Sequence, residues 1–135
     1  MDLMKSIKIS AAGMRAQGER LKVISENIAN ADSLSPIEGG DPYRRKIVTF
    51  QNVLDRTLGA DLVKVKGIEL DKSEFEKKYN PGHPSADEDG YVKQPNVNAL
   101  MEMMDMREAQ RSYEANLRII GVSKSMLNRT IDLLR

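Results

Sequence analysis

The sequence predicts a mainly α protein with a small β insertion, in which long N- and C-terminal helices form a coiled-coil-like shaft and flank a short-strand central unit. Two seven-residue apolar patterns near the chain ends carry that reading, together with an abrupt change of texture between them. All five prolines and six of the nine glycines fall between Pro36 and Pro95. Three segments follow: a shaft helix in residues 1–31, a loop and short-strand unit in 32–95, and a second shaft helix in 96–135.

In the first segment Ile7, Met14, Leu21 and Ile28 stand seven apart, with Met4, Ala11, Gly18 and, one place early, Ile24 between them. The remaining positions are mostly Lys, Arg, Glu, Gln and Ser, and no proline precedes Pro36, so one helix from about Leu3 to Asn30 is expected. Asn30, Asp32 and Ser33 end it. In the central segment Arg45–Gln51 reads as a strand, and Leu62–Leu70 as a second in which Gly67 marks a bulge or turn. Asn80-Pro81-Gly82-His83-Pro84 reads as irregular, and Asp89-Gly90 as the turn into a last strand at Tyr91-Val92. The third segment starts at Pro95 with Asn96 or Asn98 as N-cap. Its seam is Ala99, Met106, Tyr113, Ile120, Leu127 and Leu134, with Met103, Leu117 and Ile131 in alternate places that Gln110 and Lys124 interrupt.

At 1.5 Å per residue the two helices would be about 42 and 57 Å long, whereas a compact globule of this chain length is roughly 37 Å across. The longer helix would overhang, keeping an apolar row that other chains have to cover. The 135 residues carry 21 Lys and Arg against 20 Asp and Glu, a net charge of +1 that supplies no global field toward nucleic acid or an anionic bilayer. The longest uncharged stretches are eight residues, such as Ile47–Leu54 and Gln94–Met101, far below the roughly 20 that a membrane span needs, so no membrane insertion is expected. No cleaved secretory signal is evident.

Catalytic, cofactor and metal sites are not expected. There is no Cys and a single His, which removes disulfides, thiol chemistry, thiolate zinc sites and any nucleophile system not built on His83. His83, between Gly82 and Pro84, reads as an exposed turn residue rather than a base or ligand. Asp87, Glu88 and Asp89 lack the EF-hand spacing and read as a solvated acidic turn. Arg44-Arg45-Lys46 is a narrow basic triplet that edge-strand protection explains as well as phosphate contact. Gly39-Gly40 lacks the Lys-Ser/Thr of a phosphate loop, and Met101, Met103, Met104 and Met106 read as packing residues rather than soft-metal ligands.

Several motifs then fall together. Ser25 to Asp32 contains an Asn-x-Ala-Asn signature, and Asp41 to Lys46 a Pro-x-Tyr-Arg segment. Asn80 to Pro84, Ala86-Asp87, Asp89 to Val92, Pro95 to Asn98 and the run from Glu102 to Asn116 follow in order. In these motifs the sequence resembles the rod and hook axial proteins of the bacterial flagellum, closest to the proximal rod proteins of the basal body. Residues 53–78 carry little that matches, and Asp32-Ser33-Leu34-Ser35-Pro36 replaces the family's frequent Thr-Pro.

The resemblance implies a structural, non-enzymatic subunit of the periplasm-spanning rod that transmits torque, exported by the flagellar type III apparatus without signal cleavage. It implies self-association and the rod neighbours FlgB, FlgF, FlgG and FliE. The expected assembly interface is Ile7, Met14, Leu21, Asn27, Ile28 and Asn30 on the first helix, and Met106, Tyr113, Leu117, Ile120, Leu127, Ile131 and Leu134 on the second. The heptads alone would equally permit a cytoplasmic coiled-coil adaptor.

Overall fold

A computed structural model describes residues 3–133. The order of elements is α1 (Leu3–Ala29), β1 (Lys46–Asp55), β2 (Ala60–Leu70), β3 (Lys77–Tyr79), β4 (Tyr91–Lys93) and α2 (Ala99–Leu133). Along the chain, two long helices thus flank two small strand pairs, β1 with β2 and β3 with β4. Leu134, placed in the second seam by the sequence, lies outside the described residues.

Local chemistry sets the helix ends. Asn30 donates to the Glu26 carbonyl from both its backbone N–H and its Nδ2, at 3.1 and 2.8 Å, closing the last turn of α1 twice over, and Ser33 Oγ donates to Asn30 Oδ1 at 3.0 Å. Asn98 is the N-cap of α2: its Oδ1 accepts from the backbone of Leu100 and Met101 at 3.1 and 3.2 Å. Asn96, the other candidate, holds β1 instead by accepting from the Arg45 N–H at 2.7 Å.

The chain forms two compact units, and both helices contribute to each. The first takes Met1–Leu21, Val48–Gly67 and Arg107–Arg135. Here Asp55 Oδ1 accepts from the Thr57 and Leu58 N–H groups, and Gly59, with φ of 58°, closes the four-residue turn between β1 and β2. Such a short connection joins antiparallel strands. Gly67 lies inside β2 with its carbonyl accepting from Thr49 Oγ1, so the bulge or turn expected there is a strand position. A Cβ on Gly13 would come within 3.0 Å of the Asn116 side chain, and Arg20 pairs with Glu108 at 3.7 Å, so α1 and α2 run antiparallel here. Ser10, Ala16, Ala109 and Ser123 are buried in this unit, small residues that let backbones approach closely.

The second unit takes Lys22–Ile47 and Ile68–Met106. Val23, Ile24, Ala86 and Val92 are its buried apolar residues. Strands β3 and β4 pair antiparallel with Lys77 opposite Lys93 and Tyr79 opposite Tyr91, whose rings meet edge to face at 5.3 Å. Gly90 enters β4 with φ of 80°, and a Cβ there would stand 3.0 Å from Pro81 and the Tyr79 ring, so glycine is required on two counts. Strand β3 has no counterpart in the sequence reading. Its three residues, two of them Lys, have no apolar alternation and gain strand geometry only from pairing with β4.

Gly18 and Gly121 sit mid-helix, and a Cβ added to either would meet nothing within 4 Å. Replacing either by Ala is expected to stabilise the isolated chain by about 0.5–1 kcal/mol, read as a rise in thermal midpoint. Gly13→Ala should gain less or lose, because Asn116 is tied by its Nδ2 to the Ser112 carbonyl at 2.9 Å.

Candidate assembly site

In the second unit, three sequence motifs converge on one side-chain amide. Asn27, 1% exposed, lies near the end of α1 and meets the start of β1 as a strand neighbour would. Its Oδ1 accepts from the Lys46 N–H at 2.9 Å and its Nδ2 donates to the Lys46 carbonyl at 2.9 Å. The same Oδ1 accepts from the Tyr43 hydroxyl at 3.0 Å, and Nδ2 donates to Glu102 Oε2 at 3.1 Å. All four hydrogen bonds available to the amide are made. Burial holds the Tyr43 hydroxyl above its ordinary pKa of 10.0, so it remains a neutral donor at neutral pH.

Glu102, also 1% exposed, projects from the first turn of α2 and is the second centre of this network. Its Oε1 accepts from Arg45 Nε at 2.5 Å. The other guanidinium nitrogens reach Asp71 Oδ2 at 3.4 Å and Asp105 Oδ2 at 3.7 Å. Burial works against the charge on Arg45, but its bonds to Glu102 and Asp71 outweigh it and raise the pKa. Lys46 Nζ pairs with Glu26 at 2.9 Å. Arg44 donates to the carbonyls of Asp71 and Ser73 and lies 4.1 Å over the Phe75 ring. Every cation of the basic triplet therefore has a partner within the chain.

Among the described residues, three carboxyls sit below their ordinary values. Asp71 is lowered from 3.8, first by the Ser73 N–H against opposing burial, then by the Ser73 hydroxyl and Arg45. Lys46 lowers Glu26 from 4.5, and Lys93 lowers Asp41 from 3.8. Depressed folded-state values stabilise the fold above the unfolded values, and that contribution is lost as pH falls through the folded ones. Thermal midpoints should therefore be level above about pH 5 and fall below about pH 4. An Asp71→Asn variant should show a shallower acid limb in the same series.

The expected seam residues are distributed unevenly. Ile7, Met14, Leu21, Ile28, Asn30, Met106, Tyr113, Ile120 and Leu127 are half-buried, whereas Leu117 and Ile131 are 52% and 55% exposed. The buried row of α2 runs one position before the alternate row read from the sequence: Glu102, Ala109 and Ser123 are buried and Asn116 half-buried. That explains the interruptions at Gln110 and Lys124, since their predecessors face inward. Ile119, Val122, Met126 and Leu133 form a further exposed apolar stripe outside the two rows read from the sequence. Spacings of three, four and seven were its signal.

His83 is half-buried, and its Nδ1 accepts from the Ser85 N–H at 3.1 Å. Asp87 Oδ1 accepts from the Tyr91 N–H at 2.8 Å, shaping the turn into β4. Among the described residues no group of three His, Asp or Glu side chains could hold a metal ion, and no helix is long and apolar enough to cross a membrane.

Residues 88–133 match the family described as flagellar basal body rod FlgEFG protein C-terminal. Over 133 residues the chain is 50% identical to the flagellar basal-body rod protein FlgC of Agrobacterium fabrum, covering 98% of this chain and 96% of that one. It is 40% identical to FlgC of Salmonella typhimurium, with 98% of each chain covered. Against FlgC of Bacillus subtilis it is 35% identical, with 98% and 99% covered. Three such likenesses over nearly the whole chain establish that the chain belongs to the FlgC family of flagellar basal-body rod proteins.

Proposed function

We propose that the chain is a structural subunit of the proximal rod, assembling through its terminal helices into the axial shaft that transmits torque. The observation that carries this reading is the outer surface of α2. Leu117, Ile119, Val122, Met126, Ile131 and Leu133 are all exposed on one half of one helix. Leu117 and Ile131 lie on one side of the buried row of α2 and Ile119, Val122, Met126 and Leu133 on the other, and such unpartnered apolar stripes mark sites of association. The half-buried rows through Ile7 and Met106 would complete a coiled-coil-like packing with neighbouring helices. The Asn27 and Glu102 network would hold the helices in position for it.

On this reading the partners are further copies of the chain and the rod proteins FlgB, FlgF, FlgG and FliE. The subunit reaches the periplasm through the type III apparatus without signal cleavage. The sequence has no cysteine, so a single Val122→Cys substitution gives an unambiguous cross-linking site. In intact basal bodies it should yield adducts to rod proteins or to a second copy. Retention of a tagged chain in the cytoplasm, with no adduct in basal bodies, would establish the adaptor reading instead.

A further inference from the structure

We infer that Met101, Met103 and Met104 form a methionine-oxidation site that switches off assembly of the subunit, an inference that rests on the assembly reading above. The chain has eight Met and no Cys, so thioethers are its only oxidisable sulfur. Three of them lie within one turn of α2, exposed by 60%, 52% and 65%, whereas Met14 and Met106 are half-buried. Glu102 stands inside this turn, buried and bonded to Asn27 and Arg45. With that side chain fixed inward, the turn cannot rotate to hide its methionines. Met101 and Met104, three residues apart, share one side of the helix, and Met103 lies on another.

The reaction needs a two-electron oxidant of the peroxide class. The sulfur lone pair attacks one oxygen of hydrogen peroxide, an S–O bond forms and the O–O bond breaks. The displaced hydroxide combines with the proton left on the transferred oxygen. Thioether and peroxide become sulfoxide and water, with sulfur oxidised by two electrons and peroxide reduced by two. A flexible apolar side chain thereby becomes a strong hydrogen-bond acceptor. Covering three sulfoxides with an apolar neighbour that offers no donors is unfavourable. Subunits oxidised before assembly are excluded from the rod, while those already packed are shielded.

The test uses the purified full chain, hydrogen peroxide and mass spectrometry of each methionine. Met101, Met103 and Met104 should oxidise about tenfold faster than Met14 and Met106. Self-association measured by sedimentation should then weaken by about tenfold or more in the oxidised chain. Met101→Leu/Met103→Leu/Met104→Leu/Met126→Leu should associate normally and resist peroxide, since Leu keeps the apolar volume without the sulfur and Met126 lies on the surface already assigned to assembly. Met4 and Met126 are also exposed, at 52% and 51%, and a Met4→Leu/Met126→Leu variant should remain peroxide-sensitive. Equal oxidation rates at all sites, or undiminished association of the oxidised native chain, overturns the inference and leaves the assembly reading intact. A native chain that does not associate before peroxide is added overturns both.

Discussion

Asn27→Asp, a change of one atom, is expected to destabilise the second unit by about 3–5 kcal/mol, because it removes two donors and places a carboxylate against a buried one. The amide donates to both the Lys46 carbonyl and Glu102 Oε2. After substitution neither acceptor has its donor, and two carboxylates meet across about 3 Å where water is excluded. Either the fold gives way or one carboxyl takes up a proton, so the variant should regain stability on mild acidification, opposite in sign to the acid loss expected of the native chain. Adding Glu102→Gln supplies a side-chain amide facing position 27 and should recover about 1–2 kcal/mol, though the Lys46 carbonyl still lacks its donor. Thermal or urea unfolding of the two single variants and the double variant tests this. A double variant no more stable than Asn27→Asp alone would mean that the Asn27 and Glu102 contact does not couple the two helices.

The same two residues show what the sequence could and could not disclose. The helices were legible because proline is confined to the centre and apolar residues recur every seven positions, and the two end within a few residues of where the pattern places them. Asn27 was legible as part of a signature. Its bonding was not, since it depends on residues 16 to 75 positions away brought together only by folding. Glu102 was hidden by its own charge: in the run Leu100–Met104 hydropathy points to the methionines as the inward residues, yet the carboxylate is buried and the methionines are exposed. An ion pair with Arg45 and a bond from Asn27 reverse the usual preference. Likewise the triplet Arg44-Arg45-Lys46 has the look of an anion site in sequence, because no local pattern reveals that Phe75, Asp71, Glu102 and Glu26 lie against it.

Leu117→Asp is expected to abolish rod assembly and motility while leaving the isolated chain nearly as stable as before. Leu117 is 52% exposed, so a carboxylate there remains hydrated in the free subunit and costs little. In an assembled shaft the same position would be covered by a neighbouring helix, and an unpaired charge buried there costs several kcal/mol, comparable to the stability of a small domain. Ile120 is half-buried within the chain itself, so Ile120→Asp should lower both the thermal midpoint and assembly. Arg118 is exposed and adjacent, and Arg118→Asp should harm assembly least of the three. The set separates folding from association: Leu117→Asp acts on association alone, Ile120→Asp on both, and Arg118→Asp weakly on either. Circular dichroism melts of the purified variants report the first property, and basal-body composition with swimming motility reports the second. Normal assembly of Leu117→Asp alongside failure of Arg118→Asp would move the interface to the polar side of α2, leaving the exposed apolar residues there without the covering role assigned to them.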